Sequence, residues 1–141
     1  MLHHSEIKFN TRGAGDIVDI TGELKKAIRE SKMISGSVLV FTPSATSGLT
    51  TLEYEPGLLK DLPRLMEQLV PSDKAYGHDE TWHDGNGFSH LRAALIGPSL
   101  TIPFIDRELS LGTWQQVVFL EFDNRARQRR LTVQITGEGS S

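Results

Sequence analysis

The sequence contains no cysteine. Disulfide bonds, thiolate metal centres, iron–sulfur clusters and thiol nucleophiles are therefore excluded. It also has no apolar run near the roughly 18 residues that a membrane-spanning helix requires. The first six residues, MLHHSE, have neither the basic start nor the apolar stretch of a signal peptide. We therefore expect a cytoplasmic protein that does not bind a membrane.

An excess of positive charge is missing as well. The chain has 141 residues and a formal net charge of −3, whereas nucleic-acid-binding proteins usually present a basic face. One short segment combines acids and bases: Glu121, Asp123, Arg125, Arg127, Arg129 and Arg130. Such charges are typical of a solvated strand edge, where they discourage pairing with other chains. We expect no nucleic-acid partner, although a single arginine could contact a phosphate group.

The length fits one domain, residues 1–141. Hydrophobic periodicity predicts three helices, at 22–32 with Thr21 as N-cap, at 56–70 with a kink or break at Pro63, and at 89–96. Alternation and β-branched runs predict strands at 5–9, 17–20, 37–42, 49–54, 99–104, 109–112, 113–122 and 129–136. Because these elements show no βαβ rhythm, the fold class is α+β with antiparallel sheets. Residues 71–87 lack periodicity, and loops of this length are often functional.

That loop and the start of the next helix contain three of the five histidines, His78, His83 and His90. Imidazole nitrogens suit zinc and related divalent ions, and a catalytic zinc site has three protein ligands and one open position. The neighbouring acids Asp79, Glu80 and Asp84 are candidates to orient the imidazole rings by hydrogen bonding. The spacing matches no established zinc motif. The alternative is a polar surface loop with solvent-exposed histidines.

Two glycine- or hydroxyl-rich turns are candidate anion sites. Gly85, Asn86 and Gly87 precede a predicted helix, whose amide groups would attract an anion. Ser44 and Thr46 lie in a turn of small residues that offers hydroxyl and amide donors. Such residues are also common in ordinary turns. Glu53 is an acid in an otherwise apolar strand, where it either faces solvent or has a functional role.

Three stretches together resemble the YjbQ-like family, also described as secondary thiamine-phosphate synthases. They are Thr46–Thr50 with Glu53; His78 to Leu91, including Asp84-Gly85-Asn86; and Gly97–Leu100 followed by Leu111–Gln115. The resemblance implies a sandwich of two antiparallel sheets with two or three flanking helices, assembled as a homotrimer. It also implies histidine-bound metal in sites near subunit boundaries, and we assign Gln115 to the substrate side of such a site.

The chain departs from the family pattern at two positions. Ser44 stands where many members carry a histidine, so His83, beside Asp84, is a candidate to replace that ligand. Arg107 stands where members tend to carry glycine after the aspartate of a turn. The turn at Asp106 must then avoid a positive φ angle or tolerate its cost.

Three functions follow as hypotheses. The resemblance implies a thiamine phosphate synthase, which joins hydroxymethylpyrimidine diphosphate to thiazole phosphate and releases pyrophosphate. Diphosphate chemistry commonly uses magnesium, whereas three imidazoles favour zinc. The second hypothesis is a zinc-dependent hydrolase of a small phosphorylated or ester substrate, with Glu53 or Asp84 as the base. The third is a non-catalytic trimer that binds a metal or small ligand.

Overall fold

Two antiparallel sheets and four helices make up residues 1–139, the part of the chain that the computed structural model describes. The larger sheet has the strand order β1-β8-β3-β5-β6, and the smaller sheet has the order β2-β7-β4. The strands are β1 (Leu2–Thr11), β2 (Ile17–Asp19), β3 (Met33–Phe41), β4 (Ser47–Leu52), β5 (Ser99–Ile105), β6 (Glu108–Leu109), β7 (Gln116–Glu121) and β8 (Arg127–Gly139). The helices are α1 (Thr21–Ser31), α2 (Pro56–Leu69), α3 (Gly77–Trp82) and α4 (Gly87–Ile96).

The hydrophobic core lies between the two sheets. Alternation along β3 and β8 turns Val38, Val40, Val133 and Ile135 inward, where all four are fully buried. Helix α1 fills the same layer with its apolar stripe, which includes Leu24 and Ile28. The inner face of the smaller sheet completes this core with Leu49, Val117 and Phe119. The architecture is therefore a two-sheet sandwich, as the resemblance implied.

The smaller sheet is buried on its second face too. Val118 and Leu120 pack there with Met66 of α2 and Ala93 of α4. This packing explains why β7 reads as a continuous apolar run, because both faces of the strand are covered. The outer face of the larger sheet differs, since Phe41 is 39% exposed and Ile105 is 61% exposed. The prediction that strand 37–42 is buried on both faces was therefore wrong for its outer face.

Several predicted boundaries change for local reasons. Thr21 is the first residue of α1 rather than its N-cap, and its hydroxyl accepts the backbone N–H of Val117 at 2.8 Å. Pro63 does not break α2, which runs unbroken past it. The strand predicted at 113–122 begins only at Gln116, because residues 110–115 are irregular, with a turn at 113–114. No helix within residues 1–139 is both long and apolar enough to cross a membrane.

The largest difference concerns the predicted loop 71–87, which contains the short helix α3. Helix α4 follows almost at once and begins at Gly87, two residues earlier than predicted. The histidine-rich segment therefore consists of two short helices joined by the tight connection 83–86. Residues 1–139 form four helices, whereas two or three were predicted.

Candidate functional site

One carboxylate, that of Asp79, fastens the two helices of the histidine-rich segment together. One oxygen accepts the backbone N–H of Tyr76 at 3.1 Å, and the other accepts the backbone N–H of Gly87 at 2.9 Å. These amides lie at the N-termini of α3 and α4, where backbone N–H groups have no partner within the helix. The Asp79 side chain thus satisfies one amide at each helix start and holds the two starts side by side.

Gly87 permits this close approach because it has no side chain. A Cβ atom built at Gly87 would lie 2.8 Å from the Cβ of Tyr76 and 3.1 Å from an oxygen of Asp79. Both contacts are shorter than ordinary van der Waals separations. Gly87 is therefore required for packing the two helices.

This packing brings His78 and His90 together. Their ring centroids are 4.2 Å apart and the rings are tilted by 33°. The Nδ1 atom of His78 also lies 3.5 Å from a carboxylate oxygen of Asp84. The His78 side chain is 27% exposed and that of Asp84 is 49% exposed. Two imidazoles and one carboxylate therefore share a site that solvent and small molecules can reach.

Hydrogen bonds from two asparagines hold the segment around Asp84. The side-chain amide of Asn86, oriented with its nitrogen toward Asp84, donates to both carboxylate oxygens at 2.8 and 3.2 Å. The side chain of Asn124 donates to the backbone carbonyl of Asp84 at 3.0 Å. Asn86 is itself buried. Both contacts fix the position from which Asp84 faces His78.

The donor set fits a divalent metal ion. One donor atom each from His78, Asp79 and Asp84 lie within 4.8 Å of one another. Two ligands of a tetrahedral zinc ion, each about 2.0–2.1 Å from the metal, stand roughly 3.3 Å apart. The 3.5 Å between His78 Nδ1 and Asp84 is close to that separation. Mixed imidazole and carboxylate donors suit zinc better than magnesium.

His83 occupies a different kind of position. It ends α3 with a left-handed backbone, φ 58°, and its amide donates to the carbonyl of Asp79 at 2.8 Å. The residue is exposed. The group of converging donors formed by His78, Asp79 and Asp84 includes neither His83 nor His90. The role of His83 as a replacement ligand and that of His90 as a ligand stay predictions.

The three residues of the first candidate anion site, Gly85, Asn86 and Gly87, differ in which of their polar groups already have protein partners. The Gly87 amide is already occupied by the protein's own anion, the Asp79 carboxylate. Gly85 has a positive φ angle of 69°, which the tight connection to α4 requires. Asn86 contributes its carbonyl to the first turn of α4 and its side chain to Asp84. Anion binding at this helix start stays a prediction, without the Gly87 amide.

Ser44 and Thr46, the second candidate anion site, belong to a buried network centred on Arg129. The Arg129 guanidinium donates to the Ser44 hydroxyl at 2.8 Å and to the Thr46 hydroxyl at 3.0 Å. It also forms a two-pronged ion pair with Glu121, at 2.7 and 2.5 Å. The Ser44 oxygen accepts the Thr46 amide as well. Both hydroxyls therefore already have protein partners.

This network overturns the interpretation of these charges as a solvated strand edge. Glu121 and Asp123 are 1% and 0% exposed, and only 10% of the Arg129 side chain is exposed. Strand β8 lies between β1 and β3, so it is not an edge strand. The sequence did contain a signal for this network. The acids Glu121 and Asp123 are two residues apart, as are Arg127 and Arg129, and equal spacings on adjacent segments permit paired contacts.

Asp123 connects the network to the candidate metal site. Burial raises the pKa of the Asp123 carboxyl. Hydrogen bonds from Arg127 and the Asn124 amide, together with the charges of Arg127 and Arg129, lower the pKa by more than burial raises it. The pKa of Asp123 therefore lies below its usual value. The Thr46 hydroxyl donates to the same carboxylate at 3.4 Å. Since Asn124 also holds the Asp84 backbone, contacts run from Ser44 to Asp84 without a gap.

Glu53 and Gln115 lie in other surroundings. Glu53 is exposed immediately after the end of β4, and within residues 1–139 no hydrogen bond or ion pair joins its side chain to the histidines. Gln115 accepts the Gly112 amide at 3.0 Å and donates to the Thr51 hydroxyl at 3.1 Å, which braces the turn that carries Trp114. Trp114 itself is 72% exposed. Their assignments as a catalytic base and a substrate-side residue stay predictions.

Comparison with known proteins identifies the class to which this fold and segment belong. The family profile described as "UPF0047 protein YjbQ-like" matches residues 5–138. A UPF0047 protein of Archaeoglobus fulgidus is 43% identical over 128 residues, covering 91% of this chain and 97% of the relative. One from Methanothermobacter thermautotrophicus is 36% identical and covers 97% of this chain and 94% of the relative. The chain is a member of the YjbQ/UPF0047 family.

Solved structures share the fold over nearly the full length. A YbjQ-like protein of unknown function from Sulfolobus solfataricus superposes with a TM-score of 0.86 at 26% identity, covering 98% of this chain and all of the other. An uncharacterised YjbQ/UPF0047 protein of Clostridium acetobutylicum has a TM-score of 0.81 at 34% identity, covering 92% and 99%. The family thus establishes the fold, and neither description states an activity.

Proposed function

We propose that the protein binds one divalent ion, zinc, through His78, Asp84 and His90 and acts on a small phosphorylated molecule beside it. The observation that carries the proposal is that the His78 ring lies 4.2 Å from the ring of His90, while its Nδ1 atom lies 3.5 Å from a carboxylate oxygen of Asp84. Asp79 and His83 are the further candidates for the remaining position. The two carboxylates, Asp79 and Asp84, lie in the same short segment, and Asp79 holds its two helix starts together.

The residues of the chain have separable tasks in this proposal. A bound zinc ion would supply positive charge that stabilises negative charge developing on a phosphate oxygen. Asn86 orients Asp84, and an oriented carboxylate can accept a proton from a substrate hydroxyl or from water. Gly85 and Asn86 lie next to this carboxylate and form the proposed contact with the phosphate group.

The reaction that the family resemblance favours is thiamine phosphate synthesis, in which hydroxymethylpyrimidine diphosphate and thiazole phosphate combine and pyrophosphate leaves. The donor chemistry favours a second candidate, a zinc-dependent hydrolase of a small phosphorylated or ester substrate, because imidazole donors suit zinc and the diphosphate reaction commonly uses magnesium. Asp84 and Glu53 are the proposed bases. A magnesium ion bound with the diphosphate substrate would reconcile the first reaction with this site.

We further propose a homotrimer. The outer face of the larger sheet leaves apolar side chains in solvent, including Phe41 and Ile105. The braced turn around Gln115 holds Trp114 out from the surface in the same way. Exposed apolar groups of this kind are commonly covered by other chains, and closed symmetry would cover them without producing open fibres.

Metal content tests the proposal directly. Protein purified without added metal is expected to contain one zinc ion per chain by elemental mass spectrometry. His78→Ala and His90→Ala should each lose the ion and retain the fold by circular dichroism. His4→Ala is the matched control, because His4 is exposed on β1 and away from the segment. Full zinc content in both site variants would reject the metal site.

Activity measurements distinguish the two reactions. Pyrophosphate release from a mixture of the pyrimidine diphosphate and the thiazole phosphate supports the synthase. Release of phosphate or alcohol from single substrates, with no need for the second, supports the hydrolase. In either case His78→Ala should abolish the activity while His4→Ala retains it. Activity that survives in metal-free protein would contradict the role of zinc.

A further inference from the structure

Helix α1 and the turn between β5 and β6 form the two walls of a surface groove of about 480 Å³. The groove shares no residue with the candidate metal site. Its lining consists of charged side chains and one leucine: Lys25, Arg29, Asp106, Arg107, Glu108 and Leu109. Lys25 and Arg29 stand one helical turn apart, so both side chains face the same wall.

In the described part of the chain, the three cationic side chains of the groove have no ion-pair partner. Within residues 1–139, neither Lys25, Arg29 nor Arg107 forms an ion pair within 4.0 Å or a side-chain hydrogen bond. The neighbouring Lys26 differs, since it reaches Glu30 at 3.9 Å. The acids Asp106 and Glu108 line the groove but do not approach the cations that closely. Three positive and two negative groups leave a net positive charge.

Arg107 holds its place at a conformational cost. It follows Asp106 in a two-residue hairpin turn, in which Asp106 has a φ angle of 51° and Arg107 has a φ angle of 68°. Turns of this kind favour glycine at the second position, because a side chain there is strained. The Arg107 amide donates to the carbonyl of Ile34 at 2.7 Å, which fixes the turn against β3. Strain of this kind is concentrated at functional sites.

We propose that this groove binds a diphosphate group, either as pyrophosphate or as part of a small molecule. Arginine guanidinium groups recognise phosphate oxygens through paired hydrogen bonds, and Lys25 adds a third positive charge. Asp106 and Glu108 oppose an anion of a single charge, whereas a diphosphate carries enough negative charge to pair with more than one of the cations. The inference goes beyond the proposed function because it concerns different elements of the chain.

Calorimetric titration with inorganic pyrophosphate tests this site. The titration is done in EDTA and at low ionic strength, so that bound metal makes no contribution and exposed charges are not screened. Arg107→Gly should weaken binding about tenfold, the effect expected for one charge-assisted phosphate contact. The same variant should melt at a higher temperature, because glycine relieves the positive φ angle. Lys25→Gln should also weaken binding.

Two controls separate this site from the histidine site. Lys26→Gln, which removes an adjacent lysine that is paired with Glu30, should leave the pyrophosphate affinity unchanged. His78→Ala should also leave it unchanged, and Arg107→Gly should keep its full zinc content. No pyrophosphate binding by the wild-type protein, equal affinity in Arg107→Gly, or loss of binding only in His78→Ala would each overturn the proposal.

Discussion

The carboxylate of Asp79 accepts the backbone N–H of Gly87 at 2.9 Å, and this contact sets the distance between two histidines that it does not touch. His78 precedes Asp79 in α3, and His90 lies one turn into α4. When the two helix starts are held together, the imidazole rings meet at 4.2 Å. The candidate metal site thus depends on a hydrogen bond outside its own histidines.

Asp79→Asn should weaken zinc binding. An amide offers one acceptor oxygen, so one of the two backbone N–H groups loses its partner, at a cost of roughly 1–3 kcal/mol. We expect zinc affinity to fall about tenfold, measured by competition with a chromophoric chelator. Glu80→Gln is the control, because Glu80 is the exposed neighbouring acid. Equal affinities in the two variants would show that the contact does not position the site.

Gly87→Ala tests the same contact while the Asp79 carboxylate is kept. The new Cβ atom would lie 2.8 Å from the Cβ of Tyr76, so the two helix starts must separate. Zinc affinity should fall by an amount similar to that in Asp79→Asn. A loss in Asp79→Asn alone would instead identify Asp79 as a direct ligand of the metal.

His83→Gly should stabilise the fold. His83 has a φ angle of 58° at the end of α3, and glycine adopts this conformation more readily, by about 1 kcal/mol. The melting temperature should rise by a few degrees. Zinc content of the same variant then tests His83 at the ligand position that remains beside His78, Asp84 and His90. Less than one ion per chain identifies His83 as a ligand, whereas full content leaves that position to Asp79.

Arg129→Met should destabilise the protein strongly. It would leave the buried Glu121 carboxylate without its positive partner, a loss of roughly 3–5 kcal/mol in the free energy of unfolding. Arg130→Gln removes the adjacent, exposed arginine, whose contact with Glu6 is 3.8 Å, and should change stability by less than about 1 kcal/mol. Urea denaturation measures both. Equal effects would mean that the buried pair contributes no more than the exposed one.

Acidification should remove the stabilisation that Glu55 gives to α2. Backbone N–H groups of Gly57 and Leu58 donate to its carboxylate and hold its pKa below the usual value. A lowered folded-state pKa stabilises the protein above the unfolded pKa of about 4.3, and the contribution disappears as the pH falls through the folded value. Glu55→Gln should therefore be less stable than wild type at pH 7 and closer to it at pH 3. A pH-independent difference in urea unfolding would contradict this.

The sequence predicted the elements whose faces differ in polarity. Val38 and Val40 alternate with less buried neighbours, and Leu24 and Ile28 recur at helical spacing, so periodicity located β3 and α1. Helix α3 was missed because it has no buried residue and hence no apolar stripe. Asp79 caps its start locally through the Tyr76 amide, but the position of α3 beside α4 depends on the Asp79 contact with Gly87, eight residues away, which no local pattern reveals.

The candidate site, like the fold, was predictable from the sequence only in part. The cluster of histidines was visible in the sequence, and the structure brings His78 and His90 together. The supporting contacts were not visible, because Asn124 and Arg129 reach Asp84 and Ser44 from segments 40 and 85 positions away. Partners at such separations depend on the register of β8 against β1 and β3, which is determined by the fold as a whole.

The pairing of the first strand with the last also bears on how the protein can be rebuilt. The amino group of Met1 donates to the carbonyl of Gly137 at 2.9 Å, so the two described ends of the chain are neighbours within one sheet. A short glycine-rich bridge could therefore join them, and new ends could be opened in the exposed stretch 72–75, between α2 and α3. Such a permuted chain would keep every strand neighbour and place its new ends close in sequence to the histidine segment, where a reporter group could be attached.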